Sequence, residues 1–328
     1  MTTAATTRTG AHRLSPRRRP RRLENGGFLN SGLLLLAPIV ILEIAVFLLP
    51  LVYVLNRSFH DWQPGGVSVY VRFDNYSTLF AQAEFWEVVR NQLFFLLGLP
   101  IWVAAPLVLA YLLRENVSCA GLFRTIYFFP AVLSPAIVGL VFRSLLATDG
   151  PFNAALGTVG LGGLAQPWLT DATWVKPTVI VLMLWAGLGT GVLIFSAALA
   201  AVPDETFEAA RIDGAGFWDE LWHIAIPSVR ATVVLWTMFQ VMTIFLFMFS
   251  WIYVLTSGGP GLSSTTMDFS IYQKFVRFGF FGAAAAQSVV LVAMVIVVPI
   301  VIVVIPRAVR VVWRTVVQAD RLDARVSP

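Results

Sequence analysis

A chain of 328 residues carries 23 Lys and Arg against 18 Asp and Glu, a net charge of +5, yet is only 12% charged and 58% hydrophobic. A soluble domain holds about 25% charged residues; half that share, with a mean hydropathy of +0.78, leaves too little polar surface to cover a water-soluble globule. A soluble enzyme, a nucleic-acid-binding domain and a disordered chain all fit poorly. Uncharged stretches of the ~20 residues that cross a bilayer point to an all-α polytopic membrane protein.

Residues 1–28 form a basic tail with seven arginines and one acid, Glu24. A disordered topogenic tail held at an anionic cytoplasmic face accounts for it better than a nucleic-acid arm. Six apolar segments of spanning length follow, near 31–55, 88–112, 122–145, 174–201, 229–255 and 283–305. The first is longer than a signal h-region and no small-x-small cleavage site follows it, so it is expected to stay. With both termini cytoplasmic, sixteen Lys and Arg fall inside and seven outside, the sense of the positive-inside rule. The expected domains are the tail 1–28, a six-helix membrane domain 29–306 and a second basic tail 307–328, in the cell membrane. The three outer connections are rich in turn residues, as in Pro64-Gly65-Gly66 and Gly258-Gly259-Pro260-Gly261. One cysteine, Cys119, and three scattered histidines support neither an internal disulfide nor a Cys/His metal site.

The long inner connection, 202–228, concentrates the acidity: Asp204, Glu205, Glu208, Asp213, Asp219 and Glu220 are a third of all the carboxylates. Pro203 and the acids after it suit a helix first turn, where the dipole favours negative charge. Gly214 and Gly216 end that helix, and a second short helix runs through Phe217, Trp218, Leu221, Trp222 and Ile224 until Pro227 stops it. Ala209, Ala210 and Ala215 keep the surface small. This predicts a helix-turn-helix knob offering acids and small residues to a partner; composition alone leaves an ordinary solvated hairpin equally open.

The order Glu208-Ala209-Ala210, Asp213-Gly214-Ala215, Ile226-Pro227 resembles the "EAA…G…I-x-LP" loop of the membrane subunits of ATP-binding-cassette importers. Phe73-Asp74-Asn75-Tyr76, Pro130-Ala131-Val132-Leu133-Ser134-Pro135, Trp168-Leu169-Thr170-Asp171 and Tyr253-Val254-Leu255-Thr256 extend the resemblance to the carbohydrate-uptake, maltose- and glycerophosphate-type group. The resemblance implies a type I importer permease fold, pairing with a second, homologous permease, two ATPase subunits that hold ATP and Mg, and an extracytoplasmic sugar-binding protein. It assigns ATPase coupling to Glu208, Ala209, Ala210, Asp213, Gly214, Ile226 and Pro227, with Glu208 meeting an ATPase arginine. The sequence departs at Ile226, where leucine is common, at Ala231, where a second proline is frequent, and in the wholly apolar run 244–249.

Both lysines, Lys176 and Lys274, lack a preceding glycine, so there is no Walker A loop; the chain is expected to be no enzyme and to carry no cofactor or metal. Among intramembrane polar groups, Glu43 has only apolar same-face neighbours and must meet another helix, across a permease pair or within this subunit, or stay protonated. Trp185, Gln240, Thr243, Gln287 and Ser288 are candidates for a substrate route. Gly187 and Gly191, at GxxxG spacing, suit close helix packing, and Pro130 and Pro135 should break the third span beside a cavity. The leading function is a sugar-importing permease subunit. An importer of polyols, phosphate esters or peptides is the alternative, ahead of a stand-alone secondary transporter and a non-transporting scaffold. The residues do not identify the sugar.

Overall fold

The computed structural model describes residues 35–62, 65–114 and 120–304, with backbone alone at 120–124, 303 and 304. Both basic tails, Pro64 and Cys119 lie outside the described residues.

The first apolar segment is one helix, α1 (Leu35–Arg57), none of whose residues in the compact unit ending at Val52 is buried. A π-helical turn, Ile44–Leu48, widens it directly after Glu43.

The second unit begins at Tyr53. Strands β1 (His60–Asp61) and β2 (Val69–Tyr70) pair antiparallel, His60 opposite Tyr70. Helix α2 (Asp74–Ala81) leads into α3 (Ala83–Leu112), 30 residues and ~45 Å long at 1.5 Å per residue. The third apolar segment is two helices, α4 (Ala120–Val132) and α5 (Pro135–Leu145), bent by 102°. The break falls at Leu133–Ser134: Pro135 restricts the residue before it to extended backbone, and the Ser134 hydroxyl caps the new helix at the Ala136 amide, 3.3 Å. After α6 (Pro151–Thr158), α7 (Val175–Leu199) runs 25 residues unbroken, α8 (Asp204–Ile212) and α9 (Phe217–Ser228) form a hairpin, and α10 (Arg230–Leu246) turns away from α9 by 78°.

The fifth segment, expected as one span over 229–255, is instead α10 and a separate α11 (Phe249–Leu255), interrupted at Phe247–Met248. A carboxylate from outside the segment makes the interruption tolerable. Asp268, on α12 (Met267–Tyr272), accepts from the Phe249 amide at 2.6 Å and the Phe269 amide at 2.8 Å, so the restarted helix has its orphan N–H satisfied. Burial raises the Asp268 pKa, and those donors oppose the rise. A π turn, Gln273–Arg277, precedes α13 (Phe281–Pro299). By length and apolarity four helices can cross a bilayer alone, and six spans result if each bent pair counts as one.

The packing of α3, α7, α10 and α12 is stitched by polar groups as well as apolar ones. Trp102 donates its indole N–H to the Ile180 carbonyl (3.0 Å), and Trp236 donates to the Trp102 carbonyl (3.0 Å), joining α3, α7 and α10. The fully buried Gln92 amide donates to the Ile244 carbonyl and accepts from the Met267 amide at 2.8 Å. In a bilayer such bonds matter because water does not supply the alternative partner.

Glycines of α7 set the closest approaches. A Cβ on Gly189 would lie 2.1 Å from the Tyr127 carbonyl oxygen, and one on Gly191 would lie 2.7 Å from Pro106 Cβ and 2.9 Å from Trp236 Cζ2. Gly187 has no atom within 4 Å of that position. The packing pair is therefore Gly189 and Gly191, not Gly187 and Gly191: Gly187 shares a face with Gly191, but one turn on the helices have separated.

Candidate functional site: the hairpin and the mid-span cavity

The hairpin folds as its sequence dictates. Pro203 caps α8, Asp204 and Glu205 occupy its first turn, and Arg211 its last, each complementing the dipole. The helix ends in a Schellman motif: the Ala215 amide reaches the Ala210 carbonyl (2.9 Å), the Gly214 amide the Arg211 carbonyl (3.1 Å), and Gly214 takes φ +86°. Glu208, Ala209, Asp213 and Gly214 are exposed around this turn, with Ala210 half-buried. Ile226 and Pro227 lie apart from them, at the base where α9 meets α10; Ile226 is half-buried against the core and Pro227 exposed. The second hairpin helix continues one residue past Pro227, to Ser228, before the chain bends into α10.

What locks this hairpin to the bundle lies outside the motif. Glu220 is 3% exposed. Its carboxylate accepts from Arg211 Nε at 2.7 Å and Nη2 at 3.2 Å, and from the hydroxyl of Tyr111 near the end of α3. Beside it Arg114 pairs with Asp204 and stacks its guanidinium 3.7 Å over the Phe207 ring. The buried Phe207 and Leu221 close the same core. Tyr111 and Arg114 were not among the sequence candidates, and Glu220, expected among the acids offered to a partner, is buried instead. The crowding of acids was legible, but which acid would be buried depended on α3, about a hundred positions away. The apolar tip was also missed: Ile212, Trp218 and Trp222 are 86%, 62% and 61% exposed on a helix pair that no other element covers among the described residues.

A second feature lies where the broken spans meet α7. A cavity of about 410 Å³ is bounded by Leu133 and Pro135 at one break, Phe247 and Ser250 at the other, and the middle of α7 at Gly187 and Thr190. Trp102, Trp236 and Trp251 line it, as do Gln240 and Thr243. The Gln240 amide makes no hydrogen bond among the described residues, while the Thr243 hydroxyl is returned to the Phe239 carbonyl at 3.0 Å.

The other candidates fall elsewhere. Trp185 stands outside this cavity with its ring edge-on to Phe142, centroids 5.2 Å apart. Gln287 is fully buried and binds α12, donating to the Met267 carbonyl at 3.4 Å and accepting from Ser270 at 3.5 Å. Ser288 donates to the Ala284 carbonyl at 2.8 Å. Glu43 is exposed on α1 and has no hydrogen-bond or ion-pair partner among the described residues.

Long apolar helices, two of them broken around a mid-span cavity, and a helical hairpin braced at one end define a polytopic membrane permease. The chain belongs to the family of binding-protein-dependent transport system inner membrane components, whose model matches residues 17–311. It is similar to the lactose transport system permease protein LacF of Rhizobium radiobacter, 32% identical over 272 residues, covering 80% of this chain and 90% of that one. It is also similar to the arabinooligosaccharides transport system permease protein AraP of Bacillus subtilis, 30% identical over 263 residues, covering 78% and 82%. A bacterial ABC transporter involved in the import of the acidic polysaccharide alginate shares the fold, with a TM-score of 0.71 at 22% identity, over 93% of this chain and 98% of that one. The chain is thus a multi-pass inner-membrane transport component.

Proposed function

We infer that the chain is the permease subunit of a carbohydrate importer, with both termini cytoplasmic and six spans, two of them bent. It pairs with a second permease, takes sugar from an extracytoplasmic binding protein and is driven by two ATPase subunits that carry the ATP and Mg. The observation that carries this reading is the braced hairpin. Force applied at Glu208, Ala209, Asp213 and Gly214 has a rigid route through Glu220 and Tyr111 into α3, which borders the cavity at Trp102. The sugar cargo is supported by the lactose and arabinooligosaccharide permeases it resembles.

In this reading Glu208 meets an ATPase arginine, Ala209 and Ala210 allow close approach, and the apolar tip of Ile212, Trp218 and Trp222 fills the ATPase groove. Gln240 and Thr243 line the route. Glu43, an exposed carboxyl of α1, contacts the second permease. Trp185, Gln287 and Ser288 belong to packing.

The test is reconstitution of both permeases, the ATPase and the receptor in vesicles. Sugar uptake should need all four and ATP inside the compartment facing the hairpin. Uptake by this polypeptide alone, or its failure to copurify with the ATPase, would defeat the reading.

A further inference from the structure

A cavity more polar than the mid-span one lies elsewhere in the second unit. A cleft of about 710 Å³ opens between the β-hairpin with the starts of α2 and α3 on one side, and α12, the π turn and the start of α13 on the other. It lies beside Phe85 and Val88, at the opposite end of α3 from Tyr111. Its size is within the ~300–1,000 Å³ of small-ligand sites.

The walls are built rather than incidental. The Asn75 amide donates to the Ser58 and His60 carbonyls at 2.8 and 3.1 Å, tying α2 to the strand pair. Gly282 brings α13 so close that a Cβ there would sit 2.4 Å from the His60 carbonyl oxygen. The Phe278 amide bonds back to Gln273 (3.0 Å), the Phe280 amide to Lys274 (2.8 Å), and Gly279 takes φ +70° between them. Those bonds set two exposed rings, Phe278 and Phe280, on the lining, 60% and 62% exposed, with centroids 6.2 Å apart.

Between these walls stand Asp61, Thr78, Gln82, Glu84, Gln273 and Lys274, and none of these side chains makes a hydrogen bond or ion pair among the described residues. Lys274 is the most telling of them. It is half-buried, its amine is held below the ordinary lysine range by desolvation, and Glu84 attracts it without forming an ion pair. Two carboxylates, two amides, a hydroxyl and an ammonium, flanked by flat apolar rings, are the donors, acceptors and stacking faces that a polyhydroxylated ring engages. Two negative charges against one positive disfavour a ligand that is itself anionic.

We propose that this cleft is a second saccharide site, at the far end of the bundle from the hairpin, which holds neutral sugars and discriminates against uronates. It rests on the carbohydrate-permease reading, and places a sugar on this subunit before the mid-span cavity rather than only within it.

The test uses the assembled complex of both permeases and ATPase subunits in nanodiscs, without receptor. It is titrated with lactose, arabinotriose and an alginate trisaccharide, and binding is read by saturation-transfer difference NMR. The neutral sugars should bind and the alginate fragment should bind more weakly. Loss of charged hydrogen bonds in the E84Q/K274M double variant, or of the rings in F278A/F280A, should weaken the neutral sugars by about tenfold or more. D61N/E84Q should improve the alginate fragment. Copurification of the ATPase reports assembly of each variant, and E84Q alone serves where a double variant does not assemble.

Unchanged neutral-sugar affinity in the variants overturns the site, as does absent neutral-sugar binding by a complex that imports the same sugar with its receptor. Variants that weaken only receptor docking overturn it in favour of a protein-binding surface. In each of these cases wild-type import stands. Failure of the wild-type complex with its receptor to import any sugar defeats the underlying reading instead.

Discussion

Glu220 shows what a single carboxylate can do at a membrane surface. Burying an unpaired charge is costly, and here two guanidinium N–H groups and a phenol offset that cost. Removing the carboxylate in E220A takes the acceptor of two hydrogen bonds from Arg211, but the 45% exposure of that side chain lets water relieve part of the loss. The expected destabilisation is therefore ~1–2 kcal/mol, below the range for fully buried pairs. Scanning fluorimetry should find a lower Tm for E220A, and the ratio of sugar moved to ATP hydrolysed should fall. A fall in Tm with an unaltered ratio would make the triad purely structural. The α7 glycines separate at the same scale. G189V drives its side chain into the Tyr127 backbone, which α4 accommodates only by moving away, so poor expression or a destabilisation of about 3 kcal/mol is expected. G187V meets open space; expression should stay near wild type while the KM for uptake rises as the cavity fills.

At the scale of the element, the hairpin depends on one left-handed residue. Gly214 has no neighbour within 4 Å of a Cβ, so its replacement costs conformation rather than space. G214V should lose ~1–2 kcal/mol locally while the protein still inserts. The Schellman turn would then misplace Glu208 and Asp213, and ATPase copurification should drop sharply; retention of full uptake would separate the turn from coupling. The two broken spans follow a common rule. Each break has a group ready for the freed amide, Ser134 for Ala136 and Asp268 for Phe249, and each adjoins the mid-span cavity. Both Asp268 oxygens accept, one from the Phe249 amide and the other from the Phe269 amide, so D268N turns one acceptor into a donor facing an N–H, and D268A removes both acceptors. Tm should fall in both variants, whereas an unchanged Tm would remove the cap from the stability of the break.

For the whole molecule, α3 is the long lever. One helix carries Phe85 and Val88 of the far-end cleft, Trp102 of the mid-span cavity and Tyr111 of the hairpin brace. On the proposed reading, a motion entering at the hairpin would reach both cavities through a single element. Distances between spin labels at the hairpin tip and at the rim of the far-end cleft should change together on nucleotide binding to the full complex. A hairpin that moves while the cleft stays fixed would remove α3 from the coupling route.

Much was legible before any fold was known. Charge density and apolar run length identified a membrane protein, because lipid forbids the exposed backbone and charge that a soluble fold tolerates. Gly214 announced the hairpin turn, because α8 had to end in a conformation that glycine adopts without strain. Pro135 announced a broken span, since proline constrains the backbone that precedes it, whereas Pro130, also expected to break the span, lies inside α4. The partner of Glu220, the Asp268 cap, the roles of Gln287 and Gly189 and the existence of the far-end cleft were decided by tertiary structure alone. Each depends on which helices approach one another, and apolar spans of similar composition carry almost no record of that choice. The short-range pattern set the elements and their ends, while burial by distant helices determined which polar groups would brace the bundle and which would face an open cavity.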